Sequence, residues 1–472
     1  VIEADFALRN AGLLATLAGG APRCGPALRE IGALPDAALA ATGGRIVWVG
    51  ADRDFASAVA LAPKAVVLDA EGACVVPGFV DPHTHACFAG DRDDEIERRL
   101  AGASYAEIAA GWGGIVRSVG ATRAASKREL AEGLLRRLDE MLACGTTSVE
   151  VKSGYGLETA AEVRSLEAIR LAAEHHPITL VPTFLGAHEV PDEHRADRRR
   201  YVELLVREMI PDVAGRGLAV FCDVFCEQGV FSVAESRRIL EAAYEAGMQL
   251  RIHADELTWT GGAELAGELG ARSADHLVFV SDAGMRALAD AACVGTVLPA
   301  ATFYLRLPRY APARAMIDAG VALASPPTPT RAAACPRRCP SRWQWRASRW
   351  VFHSRRRSWR ARSTPPTPSA SSARSAALSS ANAPTSWCCA HGACSSSCVS
   401  GSPRSAPWSR TVASWSARAA AWHRFTLRLS RGASGTGRSR PGAASGQNTW
   451  SPPSRNDARR RAISAGRSTD GE

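Results

Sequence analysis

The sequence predicts an α/β protein: a (β/α)8 TIM barrel over residues 74–325, behind a small N-terminal β-sandwich domain over 1–73. Three observations carry the architecture. Short β-like runs punctuated by Gly and Pro fill the first 73 residues. From there to Ser325, apolar strand-like runs alternate with amphipathic helical patterns. After Ser325 neither pattern continues, and 326–472 reads as an unstructured basic tail.

The elements follow in order. GGRIVWVG (43–50) and AVVLDA (65–70) are the clearest runs of the β domain. The barrel strands are CVVPGFVD, TTSVEV, ITLVPTF, AVFCDVF, QLRIHA, SADHL, VGTVLP and GVALAS. Fully buried parallel strands read as near-continuous apolar runs of this kind. LAEGLLRRLDEMLACG and AAEVRSLEAIRLAAEHH typify the helices between them. Such a barrel carries its active site at the C-terminal ends of its strands.

Charge divides the chain at the same point. Residues 326–472 hold 25 Arg, no Lys and 3 acidic residues, a charge of +22 that leaves −12 for the first 325. The overall +10 is therefore a property of the tail, and the acidic body does not fit a nucleic-acid binder. No segment has the length and apolarity to span a bilayer. The first residues, VIEADFALRN, lack the basic region and apolar core of a secretory signal. Thirteen irregularly spaced Cys fit reduced thiols of a cytoplasmic protein better than a disulfide framework.

The candidate chemistry sits at strand ends. His83 and His85 close the first barrel strand, and residues two apart in an extended segment point the same way, so both imidazoles can reach one metal ion. Solvent-facing loop histidines are the alternative. His253 ends strand five, with Asp255 and Glu256 after it, and His276 ends strand six. Each alone could be a core histidine with satisfied hydrogen bonds. Tyr155 follows strand two between Gly154 and Gly156, which point to a tight bend or a close approach to a ligand. His188 follows strand three. Arg92 could pair with a substrate carboxylate, or be absorbed by Asp91, Asp93 and Asp94. Asp197–Arg200 reads as a solvated face, and Cys222 and Cys226 as core.

Taken together, VPGFVDPHTHACFAGDRDDE, RRLAGASYAEI, WGGI, VEVKSGYGL, TFLGAHEVP, HADE and SADHL resemble the imidazolonepropionases of the amidohydrolase superfamily, from about residue 5 to Ser325. The resemblance implies hydrolysis of 4-imidazolone-5-propanoate to N-formimino-L-glutamate in histidine degradation. It implies one zinc or iron ion held by His83, His85 and His253 with an aspartate at the end of strand eight. Arg92, Tyr155 and His188 would hold the small-molecule substrate, and Glu256 and His276 would act beside the metal. Neither membrane nor nucleic acid is expected as a partner, and a homodimer is one option for the assembly. The other readings are an inactive remnant of such an enzyme, a deaminase-type amidohydrolase, and a basic binding module on a barrel remnant.

The family's D-x-N-P-G after strand eight is absent as written. Joining the third base of each codon to the first two of the next, Pro327 to Ala332 permits D-P-N-P-G. In the same shifted frame Ala383 to Cys389 permits A-D-L-V-V-L, resembling the strand that closes the small β domain of amidohydrolases. The invariant final G of the Trp387 codon supplies the first base of one valine. The tail therefore reads as mostly out-of-frame translation, with a lesion near Ser325. Its CCAHGACSSSC stretch (388–398), which looks like a metal cluster, and its Arg/Trp-rich stretches then carry no function of their own.

Overall fold

The computed structural model describes residues 1–91 and 115–327. Its first sheet takes strands from the N-terminal 75 residues: β1 (Ile2–Ala15), β2 (Ala33–Thr42), β3 (Arg45–Ala51), β4 (Val59–Asp69) and β5 (Cys74–Val75). The order is β3-β2-β1-β4, with β5 also on β1. β2 runs antiparallel to both β1 and β3, whereas β4 and β5 run parallel to β1. Two small clusters, one around Ala4, Ala7, Ala38 and Phe55 and one around Ala11, Leu14 and Ala37, form the core of this layer.

The second sheet holds eight parallel strands in sequential order: β6 (Phe79–Asp81), β7 (Thr146–Lys152), β8 (Thr179–Ala187), β9 (Phe221–Cys226), β10 (Gln249–Ala254), β11 (Ser273–His276), β12 (Val294–Thr296) and β13 (Leu323–Ala324). Every apolar run read as a barrel strand supplies one of them. Parallel neighbours need a crossover, and the helices between them bury one face against the sheet. Lys127–Ala143 buries Leu130, Leu134 and Leu138, and Thr159–His175 buries Leu166 and Ile169. Ser126 and Ser232 open their helices with capping boxes, each paired to the Glu three residues on. One large core joins these helices to the outward-facing residues of the strands.

Side chains alternate across each barrel strand. On β7, Val149 and Val151 belong to the apolar core. Glu150 and Lys152, on the opposite face, belong to a buried charged layer with Asp223 of β9, Arg251 of β10 and Asp275 of β11. That layer lies beneath the strand ends that carry the histidines. Among the described residues no helix is long and apolar enough to cross a membrane.

Candidate metal centre

Beyond β6, Pro82 leads into His83-Thr84-His85. Thr84 turns to β7, where its N–H donates to Glu150 Oε2 at 3.0 Å and its hydroxyl to the Glu150 carbonyl at 2.6 Å. The two histidines face the other way. Their Nε2 atoms lie 3.2 Å apart, and His253, near the end of β10, brings its Nε2 to 3.1 Å from that of His85. All three side chains are buried.

The opposite ring nitrogens decide what these contacts are. His83 Nδ1 meets Asp275 Oδ2 at 2.6 Å, and His253 Nδ1 meets Asp223 Oδ1 at 3.0 Å. Burial, reinforced by the nearby Lys152 ammonium, pushes the pKa of both histidines far down, and burial with the neighbouring His188 does the same to His85. The imidazoles are therefore neutral, and the contacts to aspartate are hydrogen bonds from Nδ1–H rather than ion pairs. This fixes the tautomer and leaves a lone pair on Nε2 of His83 and His253.

Lone pairs converging on one point repel unless a cation lies between them. Tetrahedral coordination with bonds of about 2.0–2.1 Å puts ligand nitrogens roughly 3.3 Å apart, close to the spacing here. Among the described residues, these three form the group of His, Cys, Asp or Glu side chains close enough to share an ion. The donor set fits a divalent metal.

Around this group stand the other sequence candidates. His276 ends β11, and its Nδ1 lies 3.0 Å from Glu256 Oε1. Its Nε2 is buried without a hydrogen-bond partner, with the ring centroid 5.2 Å from those of both His83 and His253. His276 also holds φ +77, beyond the usual left-handed range, whereas the +51 of Asp255 lies within it, where aspartate is tolerated. Such strain persists where surroundings over-determine it. Asp255 does not face the histidines. Its carboxylate accepts from the backbone of Thr260, Gly261 and Ala263, anchoring the loop after Glu256.

His188 stacks on His85 at 4.8 Å between centroids, and its Nδ1 lies 2.9 Å from the Gly154 carbonyl. Burial pushes its pKa down to about 4, so Nδ1–H donates and the other ring nitrogen is an acceptor. Tyr155 is buried 5.3 Å from His188 and 6.0 Å from His85. Its loop is fixed by Glu162, which accepts from the N–H of Gly154, Gly156 and Leu157. Gly154 holds φ +103, where a Cβ would sit 2.9 Å from the Leu185 carbonyl oxygen. The two glycines thus serve a tight bend packed on the protein itself. Cys222 and Cys226 are buried in the core. Arg92 and the motifs RRLAGASYAEI and WGG lie outside the described residues, as does the chain from Thr328, where the strand-eight aspartate is expected.

Sequence reasoning passed over Asp223, Asp275, Lys152, Glu150 and Arg251. Asp275 keeps a pKa of about 2: burial alone would raise it, and the charges of Arg251 and Lys152 outweigh that. The available signal was a charged residue inside an otherwise apolar strand run, as in VEVK, FCDVF, LRIHA and SADH. Buried charges are rare unless paired.

The amidohydrolase family model matches residues 74–300. Imidazolonepropionase of Symbiobacterium thermophilum is 54% identical over 321 residues, covering 68% of this chain and 75% of that protein. Imidazolonepropionase of Alkaliphilus metalliredigens is 46% identical over 318 residues, covering 67% and 75%. Among solved structures, a triazine hydrolase variant matches with a TM-score of 0.52 and 18% identity over 70% of this chain and 72% of that one. A mutant of atrazine chlorohydrolase TrzN from Arthrobacter aurescens TC1, complexed with zinc and atraton, gives 0.51 and 17% over 70% and 72%. These two likenesses concern the fold. With eight parallel strands in barrel order, a three-histidine cluster at their C-terminal ends and relatives of this identity and coverage, the chain belongs to the imidazolonepropionase family of amidohydrolases.

Proposed function

We propose that the protein hydrolyses 4-imidazolone-5-propanoate to N-formimino-L-glutamate, with one zinc or iron ion held by His83, His85 and His253. The observation that carries this reading is the convergence of three neutral histidines beside the His276–Glu256 pair. Imidazole donors suit both metals. A divalent metal at such a site polarises a carbonyl and lowers the pKa of water from 15.7 to about 7.

The chain's own groups do the rest. Water adds to the ring carbonyl carbon, the ring C–N bond breaks, and a proton must reach the departing nitrogen. The His276–Glu256 pair stands beside the cluster with His276 Nε2 unengaged, which suits it to hold and pass that proton. Tyr155 and His188 flank His85 and orient the ring. Arg92 pairs with the propionate, since a guanidinium can engage a carboxylate through two hydrogen bonds. The same reading expects a cytoplasmic enzyme and allows a homodimer, which sedimentation of the purified chain reads directly.

The frame shift near Ser325 belongs to this proposal. A threonine hydroxyl near position 328 cannot supply the charge of a strand-eight carboxylate. Two chains test both parts together: the sequence as written and one restored to the shifted frame after Ser325. Each is loaded with zinc or iron, and loss of the imidazolone absorbance is followed. The restored chain turns over and loses its activity to a chelator, while the chain as written is at least 100-fold slower, beyond the about 10–100-fold cost of losing a supporting residue. Equal rates overturn the frame reading, and two inactive chains overturn the assigned reaction.

A further inference from the structure

The charged layer beneath the histidines has one member that reaches each of its three carboxylates. Lys152, at the end of β7, is fully buried. Its Nζ donates to Glu150 Oε1 at 2.8 Å and to Asp223 Oδ2 at 2.7 Å, and lies 3.9 Å from Asp275 Oδ2. Each of these carboxylates leads to a different part of the histidine cluster. Asp223 accepts from His253 Nδ1, Asp275 from His83 Nδ1, and Glu150 from the N–H of Thr84, the residue between His83 and His85. The Lys152 N–H also donates to the Thr84 carbonyl at 3.1 Å.

We propose that Lys152 is a positioning residue of the metal site, a single ammonium that ties the supports of all three histidines into one unit. Nζ is committed to carboxylates and is not itself a ligand. Arg251 does not duplicate the role. It reaches Asp275 at 2.7 Å and the Pro82 carbonyl at 2.7 Å, but it makes no hydrogen bond to Asp223 or Glu150. Its hydrogen bonds lie on the His83 side, with a longer 3.9 Å ion pair to Glu150, whereas Lys152 hydrogen-bonds to both Glu150 and Asp223 and so couples the first barrel strand to the fifth. Without Lys152, Asp223 and Glu150 would lose the one cation hydrogen-bonded to both, leaving only the Arg251 guanidinium at 3.9 Å from Glu150. Their repulsion would turn Asp223 away from His253 Nδ1 and pull the Thr84 backbone out of register.

This inference rests on the metal-centre reading, and its test separates the two. Cobalt affinity is measured by chelator competition on the full chain, with the His253→Ala chain as background and the visible cobalt absorption recorded alongside. The first variant, Lys152→Met, keeps length and removes charge. The second, Lys152→Met with Glu150→Gln, also removes the carboxylate that the lysine neutralised, so the layer keeps its net charge. In the double variant the expected result is a folded barrel by circular dichroism, a loss of cobalt affinity of about 10–100-fold, and an altered cobalt spectrum from a loosened ligand set. A folded double variant with unchanged affinity and spectrum overturns the role of Lys152. Loss of the fold in both variants makes the lysine a fold anchor and overturns it as well. An unaltered chain that binds no more cobalt than His253→Ala overturns the metal reading itself, and the lysine's role with it.

Discussion

Val149 and Val151 on β7 are fully buried, whereas Val66 and Val67 on β4 stand 39% and 50% exposed, with Leu68 at 48% beside them. The residue types are alike and both strands lie in sheets. The difference is what covers them. β7 pairs with β6 and β8 and is packed by helices on its outer face. β4 pairs with β1 alone, and among the described residues nothing continues the sheet beyond it. An exposed apolar edge strand is a liability that proteins normally blunt or cover. The barrel brings its own cover, because each βα unit supplies the helix that buries the strand before it. The small sheet depends on cover from elsewhere, and the shifted-frame A-D-L-V-V-L segment is our proposal for it. The site follows the complete region, since every described candidate group stands at a barrel strand end.

The comparison can be broken at several points. The largest effect is expected for His253→Ala, which removes a donor of the cluster: turnover of the frame-restored chain should fall by more than the about 100-fold that loss of a supporting residue costs, and bound metal should fall with it. Metal content and rate in one preparation check this. Retained metal would move the centre elsewhere.

A second comparison is between two leucines. Leu166→Ala, in the barrel helix Thr159–His175 and fully buried, should cost about 2–5 kcal/mol. Leu68→Ala on β4 should stay within about 0.5 kcal/mol in the chain as written, and rise clearly in the frame-restored chain. Urea midpoints of the four proteins decide it, and equal costs for Leu68 in both frames would remove the argument about cover.

Asp223→Asn sharpens the account of the charged layer. An amide can present its NH2 to His253 Nδ1, so the fixed tautomer is lost, and metal affinity should drop by about 10–100-fold, as chelator competition on the folded variant reads.

The smallest effect lies at the edge of the small sheet, where Arg9 donates to Asp52 at 2.7 Å and that hydrogen bond holds the Asp52 pKa at about 2. A depressed carboxylate stabilises the fold above its unfolded pKa near 4, and this contribution is lost as pH falls through about 2. Asp52→Asn should therefore cost no more than about 1 kcal/mol at pH 7, as for partly exposed pairs, and less at pH 2.

The legible parts were those with local signatures. Eight apolar runs gave eight strands, because a strand buried on both sides has few other ways to be written. His83, His85, His253 and His276 were visible because histidine directly after an apolar run is uncommon. The charged layer was not, because its meaning lies in pairings across the sequence: Lys152 meets Asp223 71 residues on, and His83 meets Asp275 192 residues on. A single strand shows only one member of each pair. The positive φ of His276 was equally hidden, since no side-chain pattern announces it.

The measurement that tests the central claim most directly is X-ray absorption at the zinc edge of the full chain loaded with one equivalent of zinc. A centre built by His83, His85 and His253 predicts nitrogen and oxygen neighbours at about 2.0–2.1 Å with imidazole outer shells, and their loss in His253→Ala. Sulfur neighbours at about 2.3 Å, as from the cysteines of CCAHGACSSSC, or a spectrum indifferent to His253→Ala, would contradict it.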